Sequence, residues 1–203
     1  MKVLVIAEDP LKDQFMLRPI IEAMFLYLHR PAKVRVHQDR LGGIGEALKA
    51  ERIAEIVESQ RYNVDLFIEV VDRDCNVPEH PRATSDRRLV LQGIENQIAE
   101  NYPGKVLFGQ AAWEEIEVWI LAGVDWKGAF PTWRWTEIRA DRDPKEAYYL
   151  PYARSRGLEN SAAEGRDSLG KEAARQYIKR LRGFCGEDLV ALEVRVAEHI
   201  SHI

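Results

Sequence analysis

The segment from Val64 to Val71 is a largely apolar run that ends on an acid-x-acid pattern, Asp72 and Asp74. A short run without regular apolar–polar alternation is typical of a strand that is buried on both faces. Side chains two residues apart in an extended chain point the same way, so the two carboxylates converge just past the strand. Their repulsion favours a divalent cation of the kind that prefers oxygen ligands. The alternative is an ordinary solvated strand exit.

A second strand of this kind opens the chain. Residues 2–7 form a short β-branched run, and Glu8 directly follows it. In an open parallel sheet, ligands bind beyond the carboxyl ends of the strands, so acids that follow different strands can meet at one site. We therefore expect Glu8 to join Asp72 and Asp74 in one metal cluster.

A third acidic group follows a strand-like segment at 105–108. Residues 112–122 show a helical apolar stripe, and the first turns contain Glu114, Glu115 and Glu117. In a helix, Glu115 and Glu117 would point about 200° apart, so only one of them could face a metal at the strand ends. The alternative is that these glutamates only favour the positive end of the helix dipole.

The order of elements predicts the fold class. Strand-like and helix-like segments alternate through residues 1–125, as in a parallel sheet whose crossovers are helices. We expect an α/β fold with a mostly parallel central sheet and helices on both faces. Residues 126–203 begin with a loop-rich stretch and end with two helices. We expect this C-terminal extension to be mainly helical and to pack on the domain formed by 1–125.

The acids and their order resemble the TOPRIM superfamily, in which a glutamate follows the first strand and an Asp-x-Asp pattern follows a later one. The similarity is closest to small stand-alone TOPRIM-like proteins related to the OLD-type nucleases of bacterial defence systems. In that group an E-x-E-h-W-h-L segment, where h is apolar, follows the fourth-strand region and is matched here by residues 115–121. The family usually has glycine after the first glutamate. This chain has Asp9 there, so Asp9 is an alternative ligand to Glu8.

The resemblance implies a TOPRIM-type nuclease that hydrolyses phosphodiester bonds in DNA or RNA with Mg²⁺ or Mn²⁺ as cofactor. The implied metal ligands are Glu8, Asp72, Asp74 and Glu117. A downstream lysine would neutralise charge on the phosphate, with Lys171 as the first candidate and Lys145 as the alternative. Replacing Glu117 by glutamine is then expected to abolish cleavage with little loss of stability.

The resemblance also implies a role in phage defence with an ABC-type ATPase as partner. The chain has no Walker A pattern of its own, so ATP-driven control requires another polypeptide. The segment from Trp126 to Trp135 contains three tryptophans and Arg134, a composition that favours a docking surface. The alternative is that these tryptophans anchor a loop-rich segment to the core.

Charge sets a limit on nucleic-acid binding. The net charge of −4 argues against a surface that coats nucleic acid without specificity. A local basic track remains, because Lys171, Arg175, Lys179 and Arg182 would share one face of a continuous helix whose buried face includes Ile178. This track is either a phosphate-binding surface or an ordinary solvated face.

Two other classes of function fit parts of the pattern. A receiver-like phosphoacceptor module also has acids after its first strand and an aspartate after a later one. A non-catalytic interaction subunit of an ATPase complex would use the acids for structure or not at all. Asp74 and Glu117 discriminate between these classes, since a nuclease needs both near the metal.

The two cysteines provide no disulfide framework, and no apolar run approaches the roughly 20 residues of a membrane span. We therefore expect a cytoplasmic protein without membrane contact, for which an oligomer is possible.

Overall fold

The computed structural model describes residues 1–73 and 87–202. The strands are β1 (Lys2–Ala7), β2 (Lys33–Val36), β3 (Leu66–Asp72) and β4 (Leu107–Ala112). Helices up to residue 125 are α1 (Pro10–Tyr27), α2 (Ile44–Ala47), α3 (Ala50–Gln60), α4 (Arg87–Asn101) and α5 (Glu117–Gly123). Later helices are α6 (Trp135–Ala140), α7 (Leu150–Ser155), α8 (Arg166–Arg175), α9 (Arg182–Phe184) and α10 (Leu189–Ser201). In the described ranges, no helix combines the length and apolar character that a membrane crossing requires.

The four strands form one all-parallel sheet in the order β2-β1-β3-β4. Alternate side chains of β1 enter two separate apolar layers, with Val3 and Val5 on the side of α1 and Leu4 and Ile6 on the side of α3 and α4. Because both faces are covered, β1 and β3 have no solvated face, which explains why both strands are mostly apolar, with Glu69 as a buried exception in β3. The predicted α/β class, with a parallel sheet and helices on both faces, is confirmed.

The residues after 125 are mainly helical and share the apolar layer that covers α1. Leu169 and Ala173 of α8 and Leu192 of α10 are buried in that layer. The contact between α8 and α1 is very close, because a Cβ atom at Gly170 would lie 2.4 Å from the carbonyl oxygen of Phe15. Only glycine allows this approach of the two backbones.

The prediction for β4 and the acidic helix was wrong in its boundaries. The strand runs to Ala112 rather than 108, because the ladder with β3 continues to the pair Asp72 and Ala112. The helix therefore begins only at Glu117, and Glu114 lies in the connecting turn with φ 58°.

The prediction of a continuous basic helix was also wrong. Helix α8 ends at Arg175, and a π-helical turn follows at Tyr177–Leu181. The wider turn changes the direction of the side chains, so Ile178 is 64% exposed instead of buried. Arg182 forms an ion pair with the buried Glu193 at 3.0 Å. The four basic residues therefore do not form one regular helical stripe.

The tryptophans of the 126–135 segment contact the core. Trp126 is 1% exposed and donates through Nε1 to the carbonyl oxygen of Leu121 at 2.9 Å. Trp133 stacks on Phe130 with the ring centroids 3.9 Å apart, and Trp135 is partly buried against the same core. These contacts match the anchoring alternative, while parts of Trp133 and Trp135 remain exposed.

Candidate functional site at the carboxyl edge of the sheet

The acids that follow β1, β3 and β4 lie along one edge of the sheet. These three strands are parallel neighbours, so their carboxyl ends point the same way. Glu8 and Asp9 follow β1, Asp72 ends β3, and Glu115 and Glu117 lie between the end of β4 and the first turn of α5. This edge is the place where open parallel sheets bind ligands.

Asp72 is fixed to the beginning of α5. Its Oδ1 accepts a hydrogen bond from the backbone N–H of Ile116 at 2.8 Å, and its carbonyl oxygen accepts one from Arg87. The backbone N–H of Arg73 donates to the carbonyl oxygen of Glu114 at 2.9 Å. The end of β3 is therefore held beside the turn that carries the glutamates.

Asp9 and Asp13 bring two further carboxyl groups to this edge from the start of α1. The backbone N–H of Asp9 donates to Oδ2 of Asp13 at 3.2 Å. Oδ1 of Asp9 is buried and has no hydrogen-bond partner among the described residues. Burial and, after it, the nearby carboxylate of Glu117 raise the pKa of Asp13 from 3.8 to about 7, against the lowering effects of the hydrogen bond from the Asp9 backbone and of Arg166. Asp13 was missing from the candidates drawn from the sequence.

Glu115 and Glu117 interact electrostatically and both belong to this cluster, although their side chains bind different partners. Glu115 precedes the helix, so helical geometry does not separate the two side chains. Its Oε2 accepts the backbone N–H of Lys145 at 2.7 Å. Burial raises the pKa of Glu115 to about 7, and the nearby Glu117 and Glu146 carboxylates contribute to the rise. A group with a strongly shifted pKa at a strand-end edge is a candidate for function.

Glu117 is 5% exposed and points into the protein, where it forms an ion pair with Arg166. Arg166 is 1% exposed and also binds the carboxylate of Glu164, which lies 3.7 Å from the ammonium of Lys12. The guanidinium lies over the ring of Tyr149, 5.4 Å from its centroid. The sequence did not single out Arg166, which lies 49 residues after Glu117 along the chain.

The two candidate lysines differ in their surroundings. The side chain of Lys171 is 56% exposed and pairs with Asp167 of its own helix at 2.7 Å. Lys145 lies next to the acidic edge, because its backbone binds Glu115 and its positive charge lowers the pKa of that carboxyl group. The contacts therefore favour Lys145 over Lys171 as the lysine that supplies positive charge at this edge.

The donor chemistry of the edge fits a hard divalent cation. Asp13 interacts electrostatically with Asp9 and Glu117, and Glu115 interacts with Glu117. Glu117 also pairs with the buried guanidinium of Arg166, which is shared with Glu164. The unpartnered Oδ1 of Asp9 adds an oxygen that a cation can use. No three His, Cys, Asp or Glu side chains of the described residues lie together as a ready-made metal-binding group. Asp74, the remaining predicted ligand, lies outside the described residues.

A cleft of about 670 Å³ lies at the opposite edge of the sheet, lined among others by Met1, Arg30, Asp65 and Lys105. It does not contain any of the strand-end acids. We place the candidate site at the acidic edge, because shifted carboxyl groups and a buried ion pair mark chemistry more directly than the size of a cleft.

Comparison with known proteins gives no relative: no family model, curated protein or solved structure matches this chain.

Proposed function

We propose that this chain is a divalent-metal-dependent nuclease of TOPRIM type that hydrolyses phosphodiester bonds in DNA or RNA. The observation that supports it best is the group of interacting carboxyl groups, those of Asp9, Asp13, Glu115 and Glu117, that the described residues bring to the carboxyl edge of the parallel sheet. At this edge, burial and the nearby carboxylate of Glu117 raise the pKa of both Asp13 and Glu115 to about 7. A divalent cation would relieve the repulsion between these carboxylates. The order of acids along the chain supports the same proposal through its resemblance to TOPRIM proteins.

Glu8, Asp72, Asp74 and Glu117 are the proposed ligands of Mg²⁺ or Mn²⁺, with Asp9 as the alternative to Glu8. The bound metal would activate water and stabilise the charge that develops on the phosphate. The hydrogen bond from Ile116 orients the carboxylate of Asp72. Asp13 and Glu115 lie beside the proposed ligands, so either carboxylate could accept the proton that an attacking water releases. Lys145, with Lys171 as the alternative, supplies positive charge near the phosphate.

The test is cleavage of DNA and of tRNA by the purified chain with Mg²⁺, with Mn²⁺ and with EDTA. We expect metal-dependent cleavage that Asp72→Ala and Asp74→Ala abolish. The matched control is Asp65→Ala, because Asp65 lies just before β3, at the amino edge of the sheet. Cleavage that persists in EDTA, or in both strand-end variants, would overturn the proposal.

We also propose an ABC-type ATPase as the partner in phage defence. The exposed parts of Trp133 and Trp135, with Arg134 between them, are the proposed docking surface. Co-expression with an ATPase encoded beside this chain should yield a stable complex at low salt, and Arg134→Glu should weaken it. Separate elution of the two proteins at low salt would count against this partner.

A further inference from the structure

A second cleft, of about 510 Å³, lies between the end of α1 and the π-helical turn at Tyr177–Leu181. We call it the helix cleft. The apolar and aromatic side chains that line it are those of Ala23, Leu26, Tyr27, Ala174, Tyr177 and Ile178, and Arg175 and Lys179 line it as well. We propose that the helix cleft binds an amphipathic helix of a partner protein, whose apolar side chains enter the cleft and whose acids pair with Arg175 and Lys179. This inference does not depend on nuclease activity.

The first support is the exposure of two large apolar side chains in one place. Leu26 and Ile178 are 66% and 64% exposed, and both line the helix cleft. Single apolar residues scattered over a surface are ordinary, whereas apolar residues that share one concave patch mark an interaction site. Ile178 reaches solvent because of the π-helical turn, and such turns are frequent at functional sites.

The second support is the rigid floor of the cleft. Tyr177 is 3% exposed, and its hydroxyl donates to Oε2 of the buried Glu193 at 2.7 Å. Arg182 binds the same carboxylate at 3.0 Å and lies over the ring of Tyr27, 4.2 Å from its centroid. The rings of Tyr27 and Tyr177 are themselves 6.1 Å apart. A floor that is fixed in advance lowers the entropy lost when a partner binds.

The charge of the helix cleft favours an acidic partner. Arg175 and Lys179 are exposed, and neither forms an ion pair with a described residue. A symmetric dimer that placed two such clefts face to face would bring the same cations of both copies together, so a second copy is disfavoured. Anionic membranes are recognised by clusters of roughly 4–8 Lys or Arg residues, a larger cluster than this pair.

The walls of the cleft favour a helix over an extended segment. Both walls are helical, formed by α1 on one side and by α8 with the π-helical turn on the other. An added strand needs the free backbone groups of a sheet edge, which helical walls do not offer. A groove between helices instead accepts apolar side chains that recur at i, i+3, i+4 and i+7 of a bound helix.

The test is a methyl NMR titration of the whole chain with two synthetic peptides. The first peptide is a helix of about 18 residues with leucines at i, i+3, i+4 and i+7 spacing and glutamates on its polar face. The second has lysines in place of the glutamates. We expect the acidic peptide to shift the methyl resonances of Leu26 and Ile178. Its Kd should be at least about tenfold lower than that of the basic peptide.

Four variants locate the binding, and each substituted residue is exposed, so all four should fold. Ile178→Asp should weaken the acidic peptide at least about tenfold, because an apolar anchor is lost and a negative charge is added. Its matched control is Leu89→Asp on α4, because Leu89 is 66% exposed and lies outside the cleft. Leu89→Asp should bind as the wild type does.

Lys179→Glu should weaken the acidic peptide and strengthen the basic one, a reversal that a purely structural lysine would not give. Arg40→Glu makes the same change of charge beyond the carboxyl end of β2, whereas α1 ends at the amino edge of the sheet. It should change neither affinity by more than about twofold, because the distant charge is screened.

Four results would overturn the proposal. The first is equal affinity for the two peptides, and the second is no methyl shift at millimolar acidic peptide. The third is binding to vesicles of anionic lipid without binding to the acidic peptide, which would assign the cleft to a membrane. The fourth is a dimer in sedimentation velocity that Ile178→Asp dissociates, which would assign the cleft to a second copy. None of these measurements reads cleavage, so the proposed nuclease function is tested separately.

Discussion

The carboxylate of Asp72 and the backbone N–H of Ile116 form a 2.8 Å hydrogen bond that joins the end of β3 to the start of α5. Asp72 therefore has a structural role beside the proposed metal-binding one, and two substitutions separate the two roles.

Asp72→Asn keeps an oxygen acceptor for Ile116 and should fold normally. Its cleavage activity should fall at least about 100-fold because the negative charge is gone. Asp72→Ala should also lose about 1–3 kcal/mol of unfolding free energy. Urea unfolding and a cleavage assay on both variants check this. Wild-type cleavage by Asp72→Asn would contradict it.

Glu117→Gln is predicted to be less stable than the sequence alone suggested. The substitution leaves Arg166 buried with one of its two carboxylate partners neutral. Breaking a buried ion pair costs about 3–5 kcal/mol, and the remaining contact with Glu164 should keep the loss below that range. Urea unfolding of Glu117→Gln beside the half-buried Glu115→Gln measures the difference. Wild-type stability in Glu117→Gln would mean that the Arg166 pair does not form in solution.

Glu69 predicts a pH dependence of stability far from the acidic edge. It is fully buried in β3, and neither carboxylate oxygen has a hydrogen-bond partner among the described residues. Burial raises its pKa from 4.5 to about 8, and Glu95 adds to the rise. The unfolded chain loses this proton near pH 4.5 and the folded chain near pH 8. Stability should therefore fall across that window by up to about 1.4 kcal/mol per pH unit.

Glu69→Gln should remove this part of the pH dependence and be more stable than the wild type at pH 8 and above. Urea unfolding at pH 5, 7 and 9 measures the difference between the two proteins, in which other titrating groups cancel. Glu100→Gln, on the exposed side of α4, is the control and should follow the wild type. Parallel pH profiles for Glu69→Gln and the wild type would refute a buried, protonated Glu69.

Substitution of Gly170 tests how closely helix α8 packs against helix α1. Alanine there would place its Cβ 2.4 Å from the carbonyl oxygen of Phe15, so α8 and α1 would have to separate. We expect a loss of about 1–3 kcal/mol of unfolding free energy, the usual cost of overpacking. Gly183→Ala meets no atom within 4 Å and should be neutral or slightly stabilising. Equal stability of the two variants would show that the helices are not so close.

The parts of the fold that the sequence predicts best are those fixed by local pattern. The strand predicted at 2–7 matches the bounds of β1, because a strand covered on both faces is mostly apolar and residues 3–7 are apolar without interruption. The segment from Gly109 to Ala112 has no β-branched or aromatic residue, so its pattern does not indicate a strand. It is held in β4 by pairing with β3, a partner far away along the chain. Such a contact leaves no local signal.

The residues of the candidate site also differ in whether the sequence alone could predict them. The strand-end acids could be found because parallel strands bring their carboxyl ends to one edge. Arg166 could not, because its position depends on the left-handed turn before it and on the packing of α8 against α1. The only local signals were Gly165 directly before Arg166 and the four-residue spacing of Asp9 and Asp13. Neither signal identifies a partner for Glu117 in the absence of the fold.

The close contact at Gly170 has a consequence for the order in which the protein matures on the ribosome. β1, β3, β4 and all the strand-end acids are synthesised before α8, whose residues cover α1 and supply the guanidinium for Glu117. A nascent chain that stops short of α8 exposes Met16 and Ile20 of α1, which are fully buried in the finished protein. The exposed apolar face makes such a chain prone to aggregation, and Glu117 has no Arg166 guanidinium to pair with until α8 emerges.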